Sequence, residues 1–186
     1  MRNKPLNDTI DTKQKILQAA AQIINEKGIL SLTLEAVAKR AGISKGGLLY
    51  HFSSKDALME GMNNFLLQGY INKVECLTNQ DSHLKGKWTR AYVTETFRQL
   101  DQEASMNAAF LSAAATNPML FNSMIDRLQK LHNNIEDDNI NPVAATVIRL
   151  AADGLYYNHL YGINVTKDMR EKVLAFLISL TLEDTK

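Results

Sequence analysis

Along most of this chain the apolar residues recur every three or four positions, the spacing of one face of an α-helix. In TKQKILQAAAQIINEKG, Ile16, Leu17, Ala20, Ile23 and Ile24 share a side, with Asp11 placed to cap the start and Gly28 to stop the end. A short second helix follows. Thr33 caps it, Leu34, Val37, Ala38 and Ala41 form its apolar stripe, and Gly42 ends it. Leu32 and Val37 stand at the two positions of a hydrophobic staple, and a third helix repeats the device with Ser44 as cap and Ile43 facing Leu48. Ser54 caps a fourth helix, from Lys55 to about Val74, which carries Leu58, Met62, Phe65 and Leu66 at helical spacing. Gly61 and Gly69 interrupt it, which implies close helix contacts or a bend.

Further periodic runs predict helices at 85–100, 104–115, 119–135, 142–161 and 168–182, with breaks at Asn117-Pro118 and in the polar loop from Glu136 to Asn141. No run alternates as a strand would, so the predicted fold is all-α. No apolar run reaches 18 residues, which argues against a membrane-spanning helix. The single cysteine, Cys76, has no partner for an internal disulfide, which fits a reducing, cytoplasmic setting.

The near-neutral total charge hides an asymmetry. Residues 1–58 carry nine Lys/Arg against five Asp/Glu, and the rest of the chain twelve against fifteen. A basic N-terminal third on an acidic remainder suits a polyanion-binding head. The second and third helices, joined by Ala41-Gly42-Ile43, make a helix-turn-helix over 33–52, whose second helix is free to enter a DNA major groove. Gly46 and Gly47 weaken that helix by roughly 1 kcal/mol each relative to Ala, but they remove Cβ atoms where the backbone must approach base edges. Lys45 stands at the leading end. Tyr50 and His51, about a turn and a half on, suit phosphate oxygens. Lys55 opens the fourth helix, where the dipole opposes a cation, so an external phosphate accounts for it.

The stretch IINEKGILSLTLEAVAKRAGISKGGLLYHFSSKDAL resembles the N-terminal domain of TetR-family repressors: EKG ending the first helix, Thr33 before the second, the VAKRAGIS turn, KG after it, and YHF followed by serine and lysine. The resemblance covers 10–70. It implies DNA contacts from Thr33, Ser44, Lys45, Gly46, Tyr50, His51 and Lys55, and Gly47 joins them on the close-approach argument. Leu49 departs from the pattern, since relatives often carry an aromatic there. The resemblance further implies a homodimer on a palindromic double-stranded DNA operator, and a helical domain at 71–186 that dimerises and encloses a small, largely apolar effector. Trp88, Tyr92, Phe110, Met124, Tyr156 and His159 are the candidate effector-lining residues. An alternative is a helical small-molecule-binding module with no regulatory DNA role.

Val143, Val147, Leu150 and Gly154 form one stripe of the 142–161 run, and Leu174, Leu177 and Ile178 belong to a final run that is apolar on more than one face. These residues are the expected dimer interface. Asp153, alone in the apolar run VIRLAADGLYY, is expected to pair with Arg149 one turn earlier. His83, His132, His159 and Cys76 lack metal-ligand spacing, and no nucleophile–base pair or phosphate-cradling loop stands out. Neither catalysis, nor a metal, nor a cofactor is expected.

Overall fold

The computed structural model describes residues 6–101 and 118–182. They form eight α-helices and, among the described residues, no strand. The helices are α1 (Leu6–Lys27), α2 (Leu34–Ala41), α3 (Lys45–His51), α4 (Lys55–Gln80), α5 (Lys87–Gln99), α6 (Pro118–Glu136), α7 (Pro142–Leu160) and α8 (Lys167–Ser179), with a 3-10 turn at Ile29–Ser31. The all-α expectation holds. The helix expected at 104–115, and Phe110 with it, lie outside the described residues. No described helix is long and apolar enough to cross a membrane.

The chain divides into two compact units that part between Leu66 and Leu67, so that α4 belongs to both. In the first unit, the head, the predicted face of α1 is fully in the core: Ile16, Leu17, Ala20, Ile23 and Ile24 are all buried, together with Leu32, Val37, Leu48 and Leu58. Gly28 adopts φ 78° and Gly42 φ 68°, left-handed conformations that stop α1 and α2 without a Cβ clash. Gly61 is a true close contact, because a Cβ there would come within 2.3 Å of the Phe52 ring. Gly69 is not: nothing lies within 4 Å of its Cβ position.

Two expectations fail at helix ends. Asp11 does not cap α1, which already runs from Leu6, so position 11 is interior. The fourth helix continues past Val74 to Gln80, because Val74 and Thr78 are both buried and the Thr78 hydroxyl bonds the Val74 carbonyl at 2.9 Å.

The second unit, the body, is built around α5, which is buried on nearly every side although it carries Thr89, Arg90, Glu95 and Thr96. Long-range partners satisfy these groups. The Asp138 carboxylate accepts from the Trp88 and Thr89 amides at 3.1 and 2.7 Å and from the Thr89 hydroxyl at 2.8 Å, capping α5 from a distant loop. Arg90 donates to Asp81 at 2.7 Å, Thr181 at 3.0 Å and the His83 carbonyl at 2.8 Å. The expected Arg149–Asp153 pair is present at 3.0 Å, and Tyr92 donates to the other Asp153 oxygen at 2.5 Å.

Candidate nucleic-acid interface

Three helix starts in the head are capped by hydroxyls. Thr33 accepts from the Ala36 amide at 3.1 Å, Ser44 from Gly47 at 3.1 Å, and Ser54 from Ala57 at 3.0 Å. Each cap satisfies an amide that would otherwise be orphaned at a helix start. The two staples sit beneath them: Leu32, Val37 and Leu48 are fully buried, and Ile43 packs against the same core. Motif α2–turn–α3 is therefore fixed from below, and its outer surface faces solvent.

On that outer surface Ser44, Lys45, Gly46, Tyr50 and Lys55 are exposed, Tyr50 to 81%, and His51 is half-buried with its ring edge-on to Tyr50 at 5.2 Å. The paired glycines have different jobs. A Cβ at Gly47 would sit 3.3 Å from the Ser44 hydroxyl, so this glycine makes room for the cap. A Cβ at Gly46 would meet nothing within 4 Å, so the fold itself places no demand for glycine there. Leu49 is partly exposed beside them.

Sequence reasoning passed over the carboxylates among these cations. Lys45 forms an ion pair with Glu35 across the two helices, with both side chains largely exposed. The Lys45 ammonium holds the Glu35 carboxyl below the usual carboxylate range. Arg40 donates two bonds to Glu26 of α1, at 2.7 and 2.6 Å, and lowers the Glu26 pKa likewise. Lys13 lies 5.5 Å from the centre of the Phe52 ring. Partners ten or more residues apart leave no trace in local periodicity.

The head matches the family model described as bacterial regulatory proteins, tetR family, over residues 16–62, and residues 86–182 match the tetracyclin repressor-like C-terminal domain. The chain belongs to the TetR family. Its members are in general non-enzymatic transcription factors, which agrees with the absence of catalytic patterning in the sequence. Among curated relatives, HTH-type transcriptional regulator BetI of Burkholderia cenocepacia is 28% identical over 151 residues, covering 77% of this chain and 75% of that protein. Nucleoid occlusion factor SlmA of a Marinomonas species is 30% identical over 78 residues, covering 42% of this chain. The TetR-family chain spans 40% of that SlmA's length. A transcriptional regulator from a Rhodococcus species shares the fold, with a TM-score of 0.72 at 23% identity over 91% of this chain and 95% of that one.

In the body of this TetR-family protein the candidate effector residues other than Phe110 lie among the described residues. Tyr92 is buried and packs edge-on against His132 at 5.9 Å and Tyr70 at 5.8 Å. Trp88 is half-buried against the same core, Met124 is half-buried on α6, and Tyr156 meets Tyr157 at 6.2 Å. His159 lines a small recess, about 10 Å³ in volume, with Leu100, Leu155, Ile163, Asn164, Val165 and Arg170.

The expected interface residues divide. Val143, Val147 and Leu150 are exposed at 72%, 56% and 55%, and Gly154 continues their stripe. Leu174 and Ile178 are half-buried. Leu177 points the other way: it is 5% exposed in the body core beside Ile148 and Ala152, so it has no surface to offer a partner. Its neighbour Phe176 is 62% exposed on the outer face of α8.

Proposed function

We propose that this TetR-family protein is a transcriptional repressor that binds a palindromic DNA operator as a homodimer and releases it when a small, largely apolar effector enters the body. The observation that carries the DNA reading is Gly46, an exposed glycine at the leading edge of α3 with open space around it. Gly69 is equally open, but Gly46 stands beside Lys45 at the start of the second helix of a helix-turn-helix, where a missing Cβ leaves room for something that approaches from outside. Around it, Lys45 and Tyr50 supply donors for base edges and phosphates, Thr33, Ser44 and His51 add phosphate contacts, and Lys55 adds a cation at the start of α4.

The dimer reading rests on the apolar stripe Val143–Val147–Leu150–Gly154 of α7 and on Phe176 of α8, which are exposed in one chain. Two helices from each copy close into a four-helix bundle and set two heads roughly 34–36 Å apart, the spacing of successive half-sites. Because α4 belongs to both units, an effector that favours one position of α4 favours one head spacing, and a spacing that misses the half-sites shifts the population off DNA. The cytoplasm, where the operator is, is the site of action.

Selection from a randomised duplex pool tests this. The wild-type protein enriches an inverted repeat, and Gly46→Ala binds the enriched duplex at least about tenfold more weakly while keeping its helicity and melting temperature. A protein that enriches no sequence is instead a helical ligand-binding module. Gly46→Ala binding as tightly as wild type removes α3 as the reading element.

A further inference from the structure

Glu35 presents an electrostatic anomaly. It is an exposed carboxylate between Thr33 and Lys45, on the surface proposed to meet a polyanion. Stability does not explain it, since its pair with Lys45 is 59% and 65% exposed and exposed pairs contribute little to folding. The carboxylate is anchored, however. It is the second residue of α2, near the positive end of the helix dipole, and it accepts from Lys45. Both the dipole and the ammonium favour its ionised form.

The partner matters as much as the anchor. A free lysine is a compact charge on a flexible four-carbon stem and finds a phosphate on any duplex. An ammonium has three donors. One taken by Glu35 leaves two, now held at one place at the head of α3. Arg40 provides the contrast: two guanidinium donors go to Glu26 and one of these also reaches Gln22, which ties α2 to α1.

We infer that Glu35 is a positioning residue for DNA reading: it holds the Lys45 ammonium as a fixed donor for a base-edge acceptor, such as guanine O6 or N7, and its negative charge weakens binding to duplex in general. The inference rests on the proposed DNA-binding role of α3. It differs from simple competition for Lys45. If Glu35 only sequestered the lysine, its removal would raise affinity for a selected duplex at least as much as for random duplex, because the pair breaks in both. If Glu35 positions the lysine, removal relieves repulsion on every duplex and forfeits the ordering of the lysine stem on the selected one.

The experiment titrates full-length wild type, Glu35→Gln, Lys45→Met and the double variant against the randomised duplex pool and against the duplex that wild type enriches from it, at several salt concentrations. Glu35→Gln binds the random pool about threefold tighter, and its preference for the enriched duplex falls about tenfold. In the Lys45→Met background the same substitution leaves the preference unchanged, because there is no lysine to hold. A preference unchanged or raised by Glu35→Gln overturns the inference, and so does a fall that persists without Lys45; in either case the DNA reading stands. If wild type enriches nothing, the DNA reading fails and the inference with it. Both substituted positions are exposed, and circular dichroism checks that the variants are folded.

Discussion

Head and body of this protein differ in how far their capping and buried polar groups reach for partners. In the head the hydroxyls of Thr33, Ser44 and Ser54 each bond an amide three residues ahead, at the surface. In the body, buried Asp138 reaches Thr89 across 49 positions, Arg90 reaches Thr181 across 91, and Tyr92 reaches Asp153 across 61. Local caps cost little and leave the outer face of α2–α3 for a partner. Long-range bonds stitch helices whose chain neighbours are elsewhere, so each one supports several elements at once. The head is a small platform shaped by its own sequence. The body is held by the agreement of distant residues.

The sharpest way to break the contrast is on α8, where adjacent residues face opposite directions. Leu177→Asp buries a charge in the body core and costs about 4 kcal/mol or more, so the body unfolds or melts far lower. Phe176→Glu changes an exposed side chain and is expected to leave the fold intact and to produce a monomer on light scattering, against the dimer proposed for the wild type. If Phe176→Glu unfolds the chain as Leu177→Asp does, the outer face of α8 is not free in the monomer. If it stays a dimer, the interface lies elsewhere.

Caps provide the next comparison. Asp138→Ala removes the acceptor of the half-buried Trp88 amide and of the buried Thr89 amide and hydroxyl, and urea denaturation is expected to show a loss of about 3 kcal/mol. Thr33→Ala removes one exposed cap and costs about 1 kcal/mol. Equal losses would mean that the body does not depend on its distant cap more than the head depends on its local one.

The same division explains what was legible in the sequence. The caps at Thr33, Ser44 and Ser54 and the two staples follow from residue types at spacings of three to five, so the turn Ala41-Gly42-Ile43 and the buried faces of α1 to α3 were readable, although the start of α1 was not. Arg149–Asp153 was readable for the same reason, being one turn apart on one helix. Asp138 was not. It lies in the polar stretch Glu136-Asp137-Asp138-Asn139, where nothing local separates the one buried carboxylate from its exposed neighbours. Leu177 failed differently: the apolar residues of 168–182 surround the helix, so periodicity could not say which side met the core. Glu35 escaped notice because its partner is on another helix.

The smallest effect concerns His132, whose ring lies edge-on to Tyr92 and whose Nε2 is buried with no hydrogen-bond partner. Burial first, and then the nearby Arg149 guanidinium, lower its pKa from the ordinary histidine value of 6.5, against smaller opposing pulls from Asp153 and Glu136. Below that value the unfolded chain therefore binds a proton more readily than the folded one, so stability is present above about pH 6.5 and falls as the pH drops through the window beneath it. Other shifted groups act elsewhere. Arg40 lowers the Glu26 pKa and Arg90 that of Asp81, so their losses come below the ordinary carboxylate range, while the raised pKa of Asp138 works in the opposite sense from that range upward. Replacing His132 with Phe keeps a ring against Tyr92 and removes the titrating nitrogen. Urea melts from pH 7 to pH 5 are expected to show a shallower decline for His132→Phe than for wild type, by at most one proton, or about 1.4 kcal/mol per pH unit. The head's half-buried His51 is the same in both proteins, so the difference between them belongs to the body; identical slopes in the two proteins would show that His132 titrates as it does in the unfolded chain.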